Sequence, residues 1–165
     1  MKPIRLLKHL LLPDWFVRRV FARGDLAAIG AAIAASETRH RGELRFVVEA
    51  AMPLASLWRD QSPRVRAVDL FSTLRVWDTA ENSGILIYVQ LVERRVEILA
   101  DRGIAACVAQ AEWDAICRAM EASFRNGEWR QGALQAVARA GELLARHFPT
   151  RQSNPNELPD QPLVL

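Results

Sequence analysis

The chain has 165 residues, half of them hydrophobic and a quarter charged, and a formal net charge of +3. This length is enough for one globular domain with a sizeable core, and the lack of an internal repeat or heptad run excludes solenoids and coiled coils. Cys107 and Cys117 lie about 15 Å apart along a predicted helix, which excludes a disulfide between them. The three scattered histidines have no metal-ligand spacing and argue against a zinc site.

Residues 1–24 form a basic arm, with six basic residues, one acid and a net charge of +5, whereas the rest of the chain has −2. Because the excess of basic residues lies in this arm and not on the predicted globular domain, nucleic acid is not expected as a partner. The arm also contains leucines, Trp15 and Phe16, a composition typical of a helix in a membrane interface. The alternative is that these apolar groups pack on the domain, and this is the simpler expectation.

No secretory signal pattern is present, because Pro13 and Asp14 interrupt the run of leucines at residues 10–12 and no cleavage pattern follows. The longest weakly polar stretch, residues 26–35, is about half a membrane span. We therefore expect a cytoplasmic protein, whose contact with a membrane would be peripheral and made through the arm.

The first elements in chain order predict a crossover unit. Asp25 is a suitable N-cap for a helix that ends near residues 39–42, and the β-rich run ELRFVVEA follows as a strand buried on both faces. Ser62 and Pro63 then supply an N-cap and a first-turn proline for an amphipathic helix. A second strand from Gly84 completes a βαβ unit with parallel strands.

The runs GILIYVQL and RRVEILAD predict a hairpin with a tight connection at Val92 and Glu93. Such a short connection permits only antiparallel pairing. The end of the second strand therefore returns to the start of the first. This arrangement predicts a cluster in which two residues after the hairpin approach three residues before it: Asp101 and Arg102, and Asp78, Glu81 and Asn82.

Two helices and a tail complete the chain. Residues 113, 116, 117, 120 and 124 form an apolar stripe that predicts a core-facing helix, and Asn126-Gly127 ends it. A last helix is predicted over residues 128–146. From residue 149 to 165 the chain has four prolines and polar filler, which predicts a disordered tail or an extended appendage.

The stretch NSGILIYVQLVERRVEILADRGI, followed by EWDAICRAMEASFRNGEWRQGALQAV, resembles the TPM domain family. The matching positions are the strand start at Gly84, the hairpin arginines Arg94 and Arg95, the turn at residues 102–104, and the helix start at residues 124–132. The resemblance covers residues 25–148. It implies an α/β fold, a three-layer α/β/α sandwich around a small mixed β-sheet. This sheet would contain the crossover and the hairpin derived above, and the tail at residues 149–165 follows the matched region.

The resemblance also implies a divalent-cation site, as in some members, and the acid phosphatase activity proposed for a plant member. The chain departs from the family pattern with Asn82 in place of an aspartate, Asp101 in place of a glycine, and Gln110 in place of an acid. Calcium or magnesium needs several oxygen ligands, so fewer carboxylates predict weaker coordination. The candidate metal ligands are Asp78, Glu81 and Asp101. Asn82 and Arg102 are candidate binding residues, and the alternative role of these residues is to cap turns.

Glu49 is a further candidate binding residue, because it ends the first strand at the edge where α/β folds place ligands. Glu43 and Glu49 share a face with Arg45, so an internal salt link is the alternative.

Taken together, the sequence favours a TPM-type adaptor that binds a protein partner or a membrane surface, with no catalytic residue assigned. Trp15, Trp58 and Trp77 fall outside the core stripes and are the predicted exposed anchors. The alternative function is a metal-dependent, acid-phosphatase-like hydrolase at the Asp78, Glu81 and Asp101 cluster, with Arg102 as an oxygen clamp.

Overall fold

The fold is a four-stranded mixed sheet with helices on both faces. The computed structural model describes residues 3–12, 15–150 and 155–165. The helices in these residues are α1 (Pro3–Leu11), α2 (Trp15–Val20), α3 (Arg23–Glu37), α4 (Leu54–Trp58), α5 (Pro63–Thr73), α6 (Arg102–Ala105), α7 (Gln110–Arg125) and α8 (Trp129–His147). The strands are β1 (Glu43–Glu49), β2 (Gly84–Gln90), β3 (Arg95–Ala100) and β4 (Leu163–Val164).

The sheet has the strand order β3-β2-β1-β4. β1 and β2 are parallel, with Glu43 opposite Gly84, and α4 and α5 lie in the crossover between them. β2 and β3 are antiparallel, as their short connection predicted. The connection is longer than predicted, because residues 91–94 all lie between the strands. Arg94 closes this turn in the left-handed backbone region, with φ 53° and its N–H bonded to the Leu91 carbonyl at 3.2 Å.

Each face of the sheet packs on a different layer of helices, which confirms the three-layer sandwich. Leu44, Phe46 and Val48 of β1 belong to a large apolar cluster shared with α3, α7 and α8. Val47 faces the other way, into a smaller cluster with α5. All seven residues of β1 are buried, so the prediction of a strand covered on both faces is confirmed.

Most of the predicted helix ends are confirmed. The Ser62 hydroxyl accepts the Val65 N–H at the start of α5, and Gly127, with φ 80°, follows α7. Asp25 is not an N-cap, because α3 already begins at Arg23. Its carboxylate instead accepts the Ala22 N–H at 3.0 Å, from the third position of the helix.

The N-terminal arm does not separate cleanly from the domain. Val17 and Phe21 are fully buried in the large cluster, and Phe16 and Val20 pack against it. Packing on the domain is therefore the correct interpretation for α2, while Pro13 and Asp14, which precede α2, lie outside the described residues.

The C-terminal residues 155–165 dock on the edge of β1, so of the two predicted alternatives for the tail they form an extended appendage and are not disordered. β4 pairs in parallel with Val47 and Val48. Nη1 of Arg45 donates to the carbonyls of Pro159 at 2.6 Å and Gln161 at 2.7 Å. These buried polar partners hold a segment whose composition alone predicts no structure. Residues 151–154 of the predicted tail lie outside the described residues.

The docked tail contributes to stability through Leu158, which is buried against Val47 and Leu86. We expect Leu158→Ala to lower the free energy of unfolding by about 2–5 kcal/mol, the usual cost of truncating a buried leucine. Urea unfolding followed by circular dichroism measures this. Leu54→Ala is the control, because Leu54 is exposed, and its expected effect is within about 0.5 kcal/mol. Equal effects of the two substitutions would contradict the docked tail.

A buried carboxyl beside the tail makes stability depend on pH. Burial raises the pKa of Glu37 from 4.5 to about 9, although the Leu44 N–H bonded to it at 3.0 Å opposes the shift. Burial likewise raises the pKa of Glu43 to about 7. In the folded state these two carboxyls therefore hold protons that the unfolded chain releases, and their contribution to the free energy of unfolding falls as pH rises from about 5 to 9.

Glu37→Gln keeps an oxygen for the Leu44 N–H and removes the titration. We expect this variant to lose less stability than the parent chain across that pH range, as measured by urea unfolding at several pH values. Glu112→Gln, at a half-exposed carboxyl, is the control and should leave the pH profile unchanged. An unaltered profile in Glu37→Gln would contradict the assignment.

Candidate functional site

The hairpin brings together the two chain segments that the sequence predicted to meet. The Asp101 N–H donates to the Gly84 carbonyl at 2.9 Å, and the Gly103 N–H donates to the Asn82 carbonyl at 2.9 Å. Gly103 must be a glycine here, because a Cβ would collide with the carbonyls of Glu81 and Asn82. The start of α6 therefore lies directly against the loop before β2.

Three of the predicted site residues contact one another. Asp101 caps α6, with Oδ1 accepting the Arg102 N–H at 2.7 Å. Nε of Arg102 donates to Oδ1 of Asn82 at 3.0 Å. Oδ2 of Asp101 is shielded from solvent and has no hydrogen-bond partner within the described residues. The cluster thus consists of one carboxylate, one amide and one guanidinium. Together they cap turns, which was the alternative role predicted for these residues.

The other two predicted metal ligands are engaged with arginines. The Glu81 carboxylate forms an ion pair with Arg41. Asp78 is exposed and lies 4.0 Å from Arg75. Within residues 3–12, 15–150 and 155–165, no group of three His, Cys, Asp or Glu side chains is placed to hold a metal ion.

This donor set does not fit a divalent cation. The amide oxygen of Asn82 already accepts from the Arg102 guanidinium, and the Glu81 carboxylate is neutralised by Arg41. A hard cation needs several free oxygen ligands, and two fixed positive charges beside those oxygens would repel it. The one remaining oxygen, Oδ2 of Asp101, is not enough to coordinate a cation.

Glu49 lies at the opposite end of β1 and is almost fully buried. Nη2 of Arg66 contacts its Oε1 at 2.6 Å, and the Tyr88 hydroxyl donates to its Oε2 at 2.6 Å. Burial and the Glu49 charge raise the pKa of Tyr88, so the phenol keeps its proton. The predicted salt link of Glu49 with Arg45 is wrong, since Arg66 of the crossover helix takes that place. Glu49 is therefore occupied within the fold.

Helix α1 has a different orientation from the one that the sequence predicted. Arg5 and His9, one helical turn apart, attach this helix to the β2–β3 turn: both contact Oε1 of Glu93, at 2.6 Å and 3.1 Å. The Met52 N–H donates to Nδ1 of His9 at 3.0 Å, and His9 is only 4% exposed. Nδ1 therefore accepts, and Nε2–H of the neutral ring points at Glu93.

Because its polar side faces the domain, α1 presents its apolar side to solvent. This α1 apolar face consists of Ile4, Leu7, Leu10 and Leu11. Ile4 is 70% exposed and Leu11 69%. The expectation that the arm packs its apolar groups inward is therefore wrong for α1. The sequence contained a signal of this orientation. At helical spacing, Arg5 and His9 fall on one side of α1, and Ile4, Leu7 and Leu11 fall on the other.

The three predicted tryptophan anchors are exposed, as expected from their position outside the core stripes. Trp15 begins α2 beside α1, and Trp58 is 69% exposed at the end of α4. Trp77, 49% exposed, precedes β2 and so lies at the other end of that strand from the β2–β3 turn.

Comparison with known proteins gives the family. The sequence profile of the TPM domain matches residues 18–143. The chain belongs to the TPM domain family. The solved structure of BA42 from the psychrophilic bacterium Bizionia argentinensis is similar over 87% of this chain and 94% of that one, with 29% identity and a TM-score of 0.76.

The N-terminal domain of a protein from P. gingivalis shares the fold of this TPM domain. The similarity covers 86% of this chain and 95% of that one, with 14% identity and a TM-score of 0.63. No curated protein matches the chain. Within the described part of the chain, none of the helices has the length and hydrophobicity that a transmembrane segment requires.

The oxygen atoms of the cluster already have arginine partners, and this predicts how the cluster responds to cations. We expect calcium or magnesium to cause no saturable change in the amide resonances of residues 81–84 and 101–104, because arginines hold the oxygens that a cation would need. Titration of the labelled chain by NMR measures this, with Asp101→Asn as the matched variant. Saturable shifts in the parent chain that disappear in Asp101→Asn would contradict this prediction and establish a metal site.

Proposed function

We propose that this TPM domain is an adaptor that binds peripherally to an anionic membrane surface, with helix α1 lying in the bilayer interface. The observation that carries the proposal is the orientation of α1. Its polar side is fixed to the domain by Arg5 and His9, so the α1 apolar face points away from the core. An apolar helix face held outward by buried polar contacts suits insertion into the region between lipid head groups and acyl chains.

The attachment of α1 is specific enough to define this orientation. Besides Glu93, the Arg5 guanidinium contacts the Asp60 carboxylate at 3.0 Å and the Gln61 carbonyl. Rotating the helix to bury its leucines would break these bonds and leave Glu93 and His9 without partners, at a cost of about 1–3 kcal/mol for each buried group. The helix therefore keeps its apolar side available.

The charge of the arm favours a membrane over a protein groove as the partner of α1. Lys8 on α1 is exposed, as are Arg18 and Arg19 on α2. Basic residues next to an anionic bilayer contribute about 1 kcal/mol each, and buried leucine side chains about 1.5–3 kcal/mol each. The net charge of +5 over residues 1–24 is confined to the segment that carries the apolar face.

An adaptor needs two separate binding surfaces, and the two ends of the sheet offer one each. α1 is attached at the β2–β3 turn, whereas Trp77 precedes the other end of β2, about 20 Å away along the strand. With the turn at the membrane, Trp77 would face the cytoplasm. An exposed tryptophan there is a suitable anchor for a protein partner.

We do not extend the proposal to a metal-dependent phosphatase. The candidate ligands Asp78 and Glu81 pair with arginines, and Arg102 is bonded to Asn82 rather than free to clamp a substrate oxygen. The function that the geometry supports is binding.

Vesicle flotation of the full chain tests membrane binding. We expect binding to phosphatidylcholine vesicles that contain phosphatidylglycerol and little binding to phosphatidylcholine alone. The double variant Leu7→Glu and Leu11→Glu should reduce binding about tenfold or more, because two carboxylates replace two inserted leucines.

The matched control is Val65→Glu and Val68→Glu, which makes the same kind of change at two exposed apolar residues of α5. It should bind as the parent chain does. A spin-labelled lipid should broaden resonances of α1 and leave the Trp77 indole signal sharp. Equal vesicle binding by both double variants, or no binding by the parent chain, would refute the proposal.

A further inference from the structure

A cavity of about 310 Å³ lies beside the arm, between the β2–β3 turn and the junction of α7 and α8. Leu12 and Phe16 of the arm line one side of it. Such a volume is at the lower end of the range of small-molecule sites, about 300–1,000 Å³. Its lining combines an aromatic wall with arginine side chains.

The aromatic wall is rigid. Phe124 and Trp129 stack with ring centroids 4.6 Å apart and an angle of 29° between the planes. Phe21, fully buried, supports both rings from behind in edge-on contacts, with centroid distances of 5.9 Å to Phe124 and 6.0 Å to Trp129. The wall therefore offers a fixed apolar surface to a ligand and needs no rearrangement to do so.

Three arginines, Arg94, Arg95 and Arg125, line the same cavity, against one acid, Glu121. Arg95 lies 3.6 Å from Glu121, which therefore offsets its charge. In the part of the chain that the structure describes, the guanidinium groups of Arg94 and Arg125 have no hydrogen bond or ion pair with the protein. The cavity thus has an excess of positive charge and suits an anion, since it would repel a metal ion.

The cavity adjoins the groove beside α1, because Leu12, Val92 and Arg94 line both. Arg94 also lines the groove between the β2–β3 turn and α1, together with Lys8 and Leu11. A ligand in the cavity would therefore lie at the level of the helix that we place in the bilayer interface.

We propose that this cavity binds the head group of an anionic glycerophospholipid: Arg94 and Arg125 hold the phosphate, and the Phe124–Trp129 wall contacts the glycerol and the first acyl carbons. Arginine is the side chain best suited to phosphate, because its planar donors match two phosphate oxygens. The proposal deepens the proposed membrane function and rests on it for the source of the lipid. Free phosphate is the other source of the same chemistry, and the test separates them.

The test uses the labelled full chain and soluble short-chain lipids, so it does not depend on insertion of α1 into a bilayer. We expect dihexanoyl phosphatidylglycerol, below its micelle concentration, to shift the Gly127 amide and the Trp129 indole resonances in a saturable way. Inorganic phosphate should bind at least about tenfold more weakly, because it lacks the apolar part, and dihexanoyl phosphatidylcholine should also bind more weakly. Equal affinity for phosphate and the lipid would overturn the lipid assignment, and absence of saturable shifts would overturn the site.

Arg94→Gly is the decisive variant. Arg94 has a φ of 53°, a backbone region that glycine adopts without strain, so the substitution removes the cation and keeps the turn. Arg75→Gly is the matched control: Arg75 has a φ of 54°, is exposed, and does not line the cavity. We expect Arg94→Gly to weaken lipid binding about tenfold and Arg75→Gly to leave it unchanged. Equal dissociation constants for the two variants would overturn the role of Arg94.

The two proposals fail in distinguishable ways. Leu7→Glu should weaken vesicle binding and leave the short-chain lipid titration unaltered, because Leu7 lines neither the cavity nor the groove that contains Arg94. Short-chain binding without vesicle binding in the parent chain would refute the membrane function alone. Vesicle binding without a response of Gly127 and Trp129 would refute the cavity alone.

Discussion

The structure depends on the burial of ionisable side chains in the central strand. β1 is covered on both faces, yet it carries Glu43, Arg45 and Glu49 on the side that faces α5. A buried ionisable group is stable only with a partner, so each of these residues binds a specific element. Glu49 binds Arg66 of α5, while Glu43 and Arg45 bind the backbone of residues 158–161. The docking of the tail is thus a consequence of the polarity of β1, and the tail in turn protects the edge of the sheet as β4.

The same constraint decides the orientation of α1. Glu93 in the β2–β3 turn is mostly enclosed and contacts both Arg5 and His9. Satisfying this carboxylate fixes the polar side of the helix against the domain and leaves the α1 apolar face outside. Among the described residues α2 makes no such polar contact, and it packs on the core through Val17 and Phe21. Glu93 therefore separates the arm into a helix that packs on the core and a helix whose apolar face is exposed.

The binding sites that we propose lie at a different end of the sheet from the acidic cluster that the sequence suggested. At the start of β2, the side chains of Asn82 and Asp101 each accept a hydrogen bond from Arg102, and these bonds hold α6 against the preceding loop. At the other end of the strand, the cavity behind the β2–β3 turn has unbalanced positive charge and an aromatic wall. Charge that is already paired stabilises a fold, whereas unpaired charge beside an apolar surface is available to a ligand. This difference is the reason for locating function at the turn.

The sequence by itself determined the parallel crossover, the antiparallel hairpin and the core stripe of α7, because side-chain periodicity and connection length are local properties, and its resemblance to the TPM family implied the sandwich. It also brought Asp101 to the loop before Gly84, since a hairpin fixes which ends meet. Only the tertiary structure decided which partner each polar group takes: Arg66 rather than Arg45 for Glu49, and Glu93 for the polar side of α1. These pairings join residues 17 to 88 positions apart, and no local pattern encodes them. Burial in three dimensions selects them, because it removes the water that would otherwise satisfy each charge.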